Sequence, residues 1–210
     1  MPPITQVREL DIAEALYHVD EDHAAVVDFR PVPEYLDVHI PGSLALVYEF
    51  GPGMAGRARD CLPLWLPLVL LDHPDIDMRH AAGALRGKGF DVVGYLRDGI
   101  NRWAAERGRP ASIEILEDQP ASSGTLLHVG DAGAAAPEGA LSIPIERLWD
   151  RVGDVPREAP VTIVGGYGVR AALAVGILER AGIGPVSFWK TVSGPLAGAL
   201  TGRHGHPIVT

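Results

Sequence analysis

The chain of 210 residues has a single cysteine, few basic residues and no long hydrophobic run. Because Cys61 has no second cysteine to pair with, an intramolecular disulfide and a zinc site built on cysteine ligands are both excluded. No apolar run reaches the roughly 20 residues that a membrane-spanning helix needs. The segment Met1–Gln6 has neither the basic nor the apolar region of a signal peptide, so we expect a cytoplasmic protein.

Basic residues are outnumbered by acidic ones, 18 to 27, and the formal net charge is −9. This surplus of negative charge argues against non-specific binding of nucleic acids and against attraction to anionic membranes. Hydrophobic residues make up 47% of the chain and charged residues 21%, as in ordinary globular proteins. We therefore expect a globular protein with no nucleic-acid partner, no membrane partner, no cofactor and no bound metal.

Short apolar runs alternate with helical patterns along the first half of the chain. Strands are predicted over 26–29, 44–47, 68–71 and 92–96, and helices over 77–88 and 101–106. Such alternation favours an α/β fold with a parallel or mostly parallel sheet covered by helices on both faces.

The pattern of the first half recurs in the second. The apolar run Leu68–Leu71 has a counterpart in Val161–Val164, which lies 93 residues later (161 − 68 = 93). One internal repeat of this size predicts a tandem of two similar α/β domains. The stretch Pro110–Ser123, which is rich in proline and serine, is the expected junction. The two predicted domains are residues 1–112 and residues 113–210.

A glycine-rich loop joins the predicted strand Val161–Val164 to a helical pattern that starts near Ala171. Backbone N–H groups of such a loop converge at the N-terminus of the helix and favour an anion. The predicted anion-binding residues are Gly165, Gly166, Tyr167, Gly168, Val169 and Arg170. Two interpretations stay open: either the loop binds a small oxyanion, or Arg170 pairs with a nearby acidic side chain.

Several motifs resemble those of the rhodanese family of sulfurtransferases. In the first half they are Asp28-Phe29-Arg30, the turn His39-Ile40-Pro41-Gly42-Ser43 and the segment Gly89-Phe90-Asp91-Val92-Val93. In the second half they are Glu138–Pro144 and Gly165–Gly182. The resemblance covers nearly the whole chain and implies two rhodanese-like domains, each a mostly parallel sheet with helices on both faces. The chain is also similar to the paired rhodanese modules found with metallo-β-lactamase-fold proteins of sulfur metabolism.

The chain departs from this family at the reactive residue. An active rhodanese carries a cysteine at the start of the strand–helix loop, where backbone N–H groups and an arginine stabilise a persulfide. Here Gly165 takes that position in the second half, and the repeat places Asp72 there in the first half. Gly168 and Arg170 keep the family's glycine and arginine, whereas the first-half loop Asp72–Asp77 is acidic and disfavours an anion.

The resemblance and these departures together predict a catalytically inactive rhodanese homologue that acts as a binding or regulatory module in sulfur metabolism. Its expected ligand is a small oxyanion such as sulfate, thiosulfate or phosphate, and its expected partner is a protein of sulfur metabolism. The alternative is a sulfurtransferase that uses Cys61 to move sulfane sulfur from thiosulfate or 3-mercaptopyruvate to a thiol or cyanide acceptor.

Two further features are candidates for a site. Cys61 lies in no motif that places it at a helix N-terminus, so we expect a structural thiol. The acidic residues Asp72, Asp75 and Asp77, with His73, invite comparison with a metal site, but their spacing does not match a calcium-binding EF-hand loop. We expect Asp77 to cap the helix that follows.

The residues Asp28, Arg30 and His39 form an acid, a cation and an imidazole within one short stretch of sequence. Such a set is compatible with catalysis. The resemblance instead implies that these residues hold turns together through charge-assisted hydrogen bonds. We expect this structural role.

Overall fold

A computed structural model of the protein describes residues 6–48, 51, 53–117, 124–131, 134–164 and 168–190. The strands are β1 (Glu9–Leu10), β2 (Ala25–Asp28), β3 (Leu44–Ala45), β4 (Leu68–Leu71), β5 (Val92–Leu96), β6 (Glu114–Leu116), β7 (Thr125–His128), β8 (Leu141–Ser142), β9 (Val161–Val164) and β10 (Val186–Trp189). The helices are α1 (Ile12–Asp20), α2 (Val32–Asp37), α3 (Gly53–Cys61), α4 (Met78–Gly87), α5 (Gly99–Arg107), α6 (Ile145–Arg151) and α7 (Val169–Arg180). Gly165, Gly166 and Tyr167 of the predicted anion loop lie outside the described residues.

The strands form two five-stranded parallel sheets. The order is β1-β5-β4-β2-β3 in the first sheet and β6-β10-β9-β7-β8 in the second. Each strand of the first sheet therefore has a counterpart five strands later, and the predicted α/β fold class is confirmed. The domain boundary at residues 112 and 113 stays a prediction. Within the described ranges, no helix is long and apolar enough to cross a membrane.

Most of the predicted strands are observed close to their predicted positions. The strands β4, β5 and β9 have the predicted bounds. The strand predicted over 44–47 is shorter, because only Leu44–Ala45 belongs to the regular ladder of β3. Beyond it, the Leu46 N–H still donates to the carbonyl oxygen of Asp28 over 2.9 Å.

Helix α4 has the face that its sequence predicts. Its buried side chains are Met78, Ala81, Ala82 and Leu85. This spacing of three and four residues aligns them on one side of the helix, toward the core. The Asp77 carboxylate accepts a hydrogen bond from the backbone N–H of Arg79 over 2.9 Å, so the predicted N-cap is confirmed.

One continuous hydrophobic core joins the two halves of the chain. It contains side chains from one face of each sheet and from α2, α3, α4, α6 and α7. Helix α7 has no exposed face along its centre, since every residue from Ala171 to Leu178 is buried. It packs against β3 and α2 of the first half as well as β9 and β10 of the second. A helix that is apolar on all sides belongs in such an interior position.

Gly176 allows α7 to approach the first half closely. A Cβ atom at this position would lie 2.0 Å from the carbonyl oxygen of Ser43. Protein interiors are close-packed, and no side chain can occupy that space unless the backbone moves. The Tyr35 hydroxyl donates to the same carbonyl oxygen over 2.6 Å, which fixes the turn against the helix.

The sheet faces that point away from the shared core differ in polarity between the two halves. On the first sheet, a second apolar core includes side chains of α1 and α5. On the second sheet, the positions matched to Val69 and Gly94 are Thr162 and Ser187, whose hydroxyl oxygens lie 2.9 Å apart. The repeat of topology is therefore not a repeat of side-chain chemistry.

Candidate functional site

The predicted anion site lies where β9 ends and α7 begins. The strand ends at Val164, and Gly168 is the N-cap residue before Val169. Gly168 is extended, with φ 176°, and no side chain of the described residues caps the first turn of the helix. The free N–H groups of a first turn carry partial positive charge and favour an anion. Of the predicted anion-binding set, the structure describes Gly168, Val169 and Arg170.

Arg170 is paired with an acidic side chain. Its guanidinium donates a hydrogen bond to Asp131, which follows β7, and lies 3.9 Å from the carboxylate of Glu146 in α6. The Arg170 side chain is 40% exposed, so solvent weakens this ion pair. An anion at the start of α7 therefore has to compete with Asp131 for the guanidinium.

Cys61, the only thiol, is the last residue of α3 and is buried, with 4% of its surface exposed. Burial, followed by the negative charges of Glu146 and Asp60, raises the pKa of this thiol to about 12. The positive charges of Arg57 and Arg170 act in the opposite direction but are outweighed. At neutral pH the group is a protonated thiol and a poor nucleophile.

The sequence did not indicate that Cys61 lies near the second half. Its pKa responds to Glu146 and Arg170, so the thiol at the end of α3 lies within electrostatic range of the start of α7. These residues are more than 80 positions apart along the chain (146 − 61 = 85). Packing of α3 against α6 brings them together.

In the first half, the junction between β4 and α4 is the counterpart of the junction between β9 and α7. It borders a cavity of about 340 Å³. The residues that line it are Val7, Asp72, His73, Ile76, Asp77, Met78, Arg79, Tyr95 and Arg97. Asp72 directly follows β4, as Gly165 directly follows β9. Its Oδ1 atom accepts a hydrogen bond from the Asp98 N–H over 2.8 Å.

Two of the residues that line this cavity, Arg79 and Arg97, are paired with carboxylates. Arg79 lies 3.2 Å from Asp77, and its hydrogen bonds hold the pKa of the Asp77 carboxyl below its usual value. Arg97 lies 2.7 Å from Glu9 and, by its hydrogen bond, lowers the pKa of the Glu9 carboxyl. The lowered pKa values favour the ionised forms of the Asp77 and Glu9 carboxyl groups. Among the described residues, no three His, Cys, Asp or Glu side chains converge on a point that could hold a metal.

The residues Asp28, Arg30 and His39 hold a turn together, as predicted. Arg30 donates to the buried Asp28 carboxylate over 2.7 Å and also to the carbonyl oxygen of Val38. The His39 ring is fully buried and stacks on Tyr35, with 4.4 Å between ring centroids. A buried acid and imidazole with complete hydrogen bonding fix the turn in place.

A residue that the sequence reasoning missed completes this turn. Glu179 near the end of α7 places both carboxylate oxygens 3.1 Å from the His39 Nε2 atom. One of them also accepts a hydrogen bond from the Gly42 N–H over 2.7 Å. Glu179 and His39 are 140 residues apart along the chain, so no local pattern could have paired them.

Comparisons with known proteins agree with the fold of the first half. Residues 11–106 match the model of the Rhodanese-like domain family. Over 106 residues the chain is 26% identical to a protein of Escherichia coli (strain K12) named Uncharacterized protein YibN, and the alignment covers 49% of this chain and 71% of that protein. The first half of the chain therefore contains a rhodanese-like domain.

Several solved structures of sulfur-handling proteins are similar to parts of this chain. A NAD-dependent persulfide reductase from A. fulgidus is 24% identical over 37% of this chain, with a TM-score of 0.33, and the chain spans 15% of its length. A thiosulfate sulfurtransferase from Pseudomonas aeruginosa is 20% identical over 89% of this chain, with a TM-score of 0.36, and the chain spans 43% of its length. SseA, a 3-mercaptopyruvate sulfotransferase from Escherichia coli, is 17% identical over 88% of this chain, with a TM-score of 0.37.

Proposed function

We propose that the chain, whose first half contains a rhodanese-like domain, is a tandem of two such domains that binds a ligand or partner without transferring sulfur itself. On this proposal it acts as a binding or regulatory module in sulfur metabolism. The observation that carries the proposal is the state of the only thiol: Cys61 is buried, and burial raises its pKa to about 12. A sulfurtransferase of this family needs a thiolate that a donor can reach.

The matched architecture of the two halves supports the tandem arrangement. Both sheets have the same strand order, and the strands β4 and β9 are separated by 93 residues (161 − 68 = 93). The residues that directly follow these strands are Asp72 and Gly165, neither of which can form a persulfide. Both matched positions therefore lack the nucleophile.

The ligand proposed for the second half is a small oxyanion such as sulfate, thiosulfate or phosphate. The first-turn N–H groups of α7 and the guanidinium of Arg170 supply positive charge in one place. The partly exposed pair between Arg170 and Asp131 is weak enough for an anion to displace. The proposed partner is a protein of sulfur metabolism in the cytoplasm.

The alternative function is a sulfurtransferase that uses Cys61. One observation favours it, because the positive charge of Arg170 acts on this thiol across the two halves. The raised pKa and the burial of Cys61 oppose it. Transfer of sulfur would require the thiol to become both exposed and ionised.

Sulfur transfer can be tested directly with the purified protein. Thiocyanate formation from cyanide is measured with thiosulfate and with 3-mercaptopyruvate as donors, for the wild type and for Cys61→Ser. We expect no turnover by either protein. Turnover that Cys61→Ser abolishes would establish the alternative. Gly165→Cys is a further probe, since thiocyanate formation by this variant shows that the second-half loop still supports the chemistry.

Anion binding can be tested separately. Sulfate, thiosulfate and phosphate are expected to raise the melting temperature of the wild type, and Arg170→Ala is expected to remove that rise. Arg79→Ala is a matched control, because Arg79 lies in the first turn of α4 and pairs with Asp77 there. An equal rise in all three proteins would mean that the anions act without this site.

A further inference from the structure

The cavity at the junction of β4 and α4 combines apolar side chains with charged side chains of both signs. The apolar residues that line it are Val7, Ile76 and Met78. The charged residues that line it are Asp72, Asp77, Arg79 and Arg97. Its volume of about 340 Å³ lies within the range of small-molecule sites, about 300–1,000 Å³. A cavity of this size with apolar lining and a few polar groups is typical of a site for a small ligand.

The two arginines of the cavity have donors to spare. Arg79 uses its Nε and Nη2 atoms to donate to Asp77, over 3.2 Å in each case. Arg97 uses the same two atoms to donate to Glu9, over 3.1 and 2.7 Å. Among the described residues, neither Nη1 group has a hydrogen-bond partner. Two N–H groups of cations are therefore available to a carboxylate of a ligand.

Asp72 supplies the complementary acceptor. Its Oδ1 atom accepts a hydrogen bond from the Asp98 N–H over 2.8 Å, which fixes the position of the side chain at the end of β4. Its Oδ2 atom has no hydrogen-bond partner within the described ranges. An ammonium group has three donors and no acceptor, so a side-chain oxygen with a free position suits it.

The pairing of the arginines disfavours a ligand that is only an anion. Their hydrogen bonds lower the pKa values of the Asp77 and Glu9 carboxyl groups, which favours the ionised forms. Each guanidinium therefore has an acid beside it that balances its charge. The same ion pairs hold the arginines in place before a ligand arrives, which reduces the conformational entropy lost on binding.

We infer that this cavity binds a small zwitterion with an ammonium group, a carboxylate and an apolar side chain, the chemistry of a free α-amino acid. The ammonium group donates to Oδ2 of Asp72, and the carboxylate accepts from the free Nη1 groups of the arginines. The apolar side chain lies against the apolar lining. A ligand without net charge also avoids the repulsion between an anion and the acidic loop Asp72–Asp77.

Three probes with the same carbon skeleton separate the two charged contacts. L-Leucine carries both charged groups, 4-methylpentanoate lacks the ammonium group, and 3-methylbutylamine lacks the carboxylate. Titrations of the wild-type protein, followed by the backbone amide signals of Arg79 and Asp98 in nuclear magnetic resonance spectra, give the three dissociation constants. We expect L-leucine to bind about fivefold more tightly than either of the other probes. Equal binding of all three, or no shift of these signals with L-leucine up to its solubility limit, would overturn the inference.

Two variants assign each contact to its residue. Asp72→Asn keeps an oxygen for the Asp98 N–H and should weaken L-leucine about fivefold without affecting 4-methylpentanoate. Arg97→Gln should weaken L-leucine and 4-methylpentanoate but not 3-methylbutylamine. Arg107→Gln is the matched control, because Arg107 pairs with Asp20 and does not line the cavity, so it should bind L-leucine as the wild type does.

The amide spectrum of each variant shows whether it is folded before its titration is interpreted. Folded Asp72→Asn and Arg97→Gln proteins that bind L-leucine as tightly as the wild type would refute the assignment of the cavity to a zwitterion. The anion site proposed at the start of α7 is tested with other ligands and with Arg170→Ala, so failure at one site is distinguishable from failure at the other.

Discussion

Helices α4 and α7 hold matched places in the two sheets but differ in what surrounds them. Each follows the strand at the centre of its sheet, β4 or β9. Helix α4 buries one face and exposes residues such as Arg79 to solvent, whereas α7 is buried from Ala171 to Leu178. The difference shows that packing of the second half onto the first determines the surroundings of α7.

The junctions that precede these helices differ in charge as well. Asp77 caps α4 and pairs with Arg79, and the cavity beside it is lined by further charged side chains. Gly168 caps α7 without a side chain, and Arg170 is paired with Asp131 from another loop. The first junction therefore presents acidic side chains, and the second presents a helix N-terminus beside a cation, with no side-chain cap from the described residues.

The largest expected effect concerns the reactivity of the Cys61 thiol, which lies outside both junctions. Burial raises the pKa of Cys61 from 9.0 to about 12, which lowers its thiolate population ~1000-fold. We expect iodoacetamide to alkylate the folded protein at pH 8 far more slowly than the same protein in denaturant. Equal rates in the two states would show that Cys61 is accessible and ionisable.

The same shift predicts how stability depends on alkaline pH. The folded state retains a proton that the unfolded state releases, so stability is lost as the pH rises from about 9 to about 12. The raised pKa of Tyr35 acts in the same direction. Cys61→Ser should therefore reduce this loss, measured by urea unfolding at a series of pH values, without abolishing it.

The next prediction tests the close packing that distinguishes α7 from α4. Gly176→Ala places a methyl group against the carbonyl oxygen of Ser43 and should cost about 1–3 kcal/mol of unfolding free energy. Gly87→Ala in α4 is the control, because among the described residues no neighbouring element comes within 4 Å of the added methyl group. It should stabilise by up to about 1 kcal/mol. Similar changes in both variants would contradict the packing difference.

A smaller effect is expected from removing the side-chain cap of α4 and from adding a side-chain cap to α7. Asp77→Ala removes the side-chain cap of α4 and should cost about 1 kcal/mol. Gly168→Ser supplies a hydroxyl at the extended N-cap of α7, where an added Cβ meets no atom of the described surroundings within 4 Å, and should stabilise by a few tenths of a kcal/mol. Urea unfolding of both variants measures the two changes. A loss of stability in Gly168→Ser would mean that the first turn of α7 already has its partners.

The smallest effect concerns the turn that packs against α7. The Ser43 hydroxyl oxygen is buried and has no hydrogen-bond partner among the described residues. Ser43→Ala removes this unsatisfied group and should leave stability unchanged or raise it by no more than about 1 kcal/mol. Clear destabilisation in urea unfolding would reveal a partner for the hydroxyl.

Several elements of the fold were predictable because their signals are local. The apolar runs of β4 and β9, the spacing of buried residues in α4 and the cap at Asp77 all depend on residues a few positions apart. The candidate site was less predictable. The pairing of Arg170 with Asp131 and the approach of Cys61 to Arg170 depend on which loops and helices meet in space.

Local sequence patterns are sufficient to predict the α/β class, the recurring order of strands and helices, and the absence of a cysteine after either central strand. These follow from the periodicity and identity of neighbouring residues. Three other features are visible only in the folded chain: α7 lies between the two halves, Cys61 is buried, and Glu179 contacts His39. Those features depend on contacts between distant segments, which chain folding creates and which no local pattern encodes.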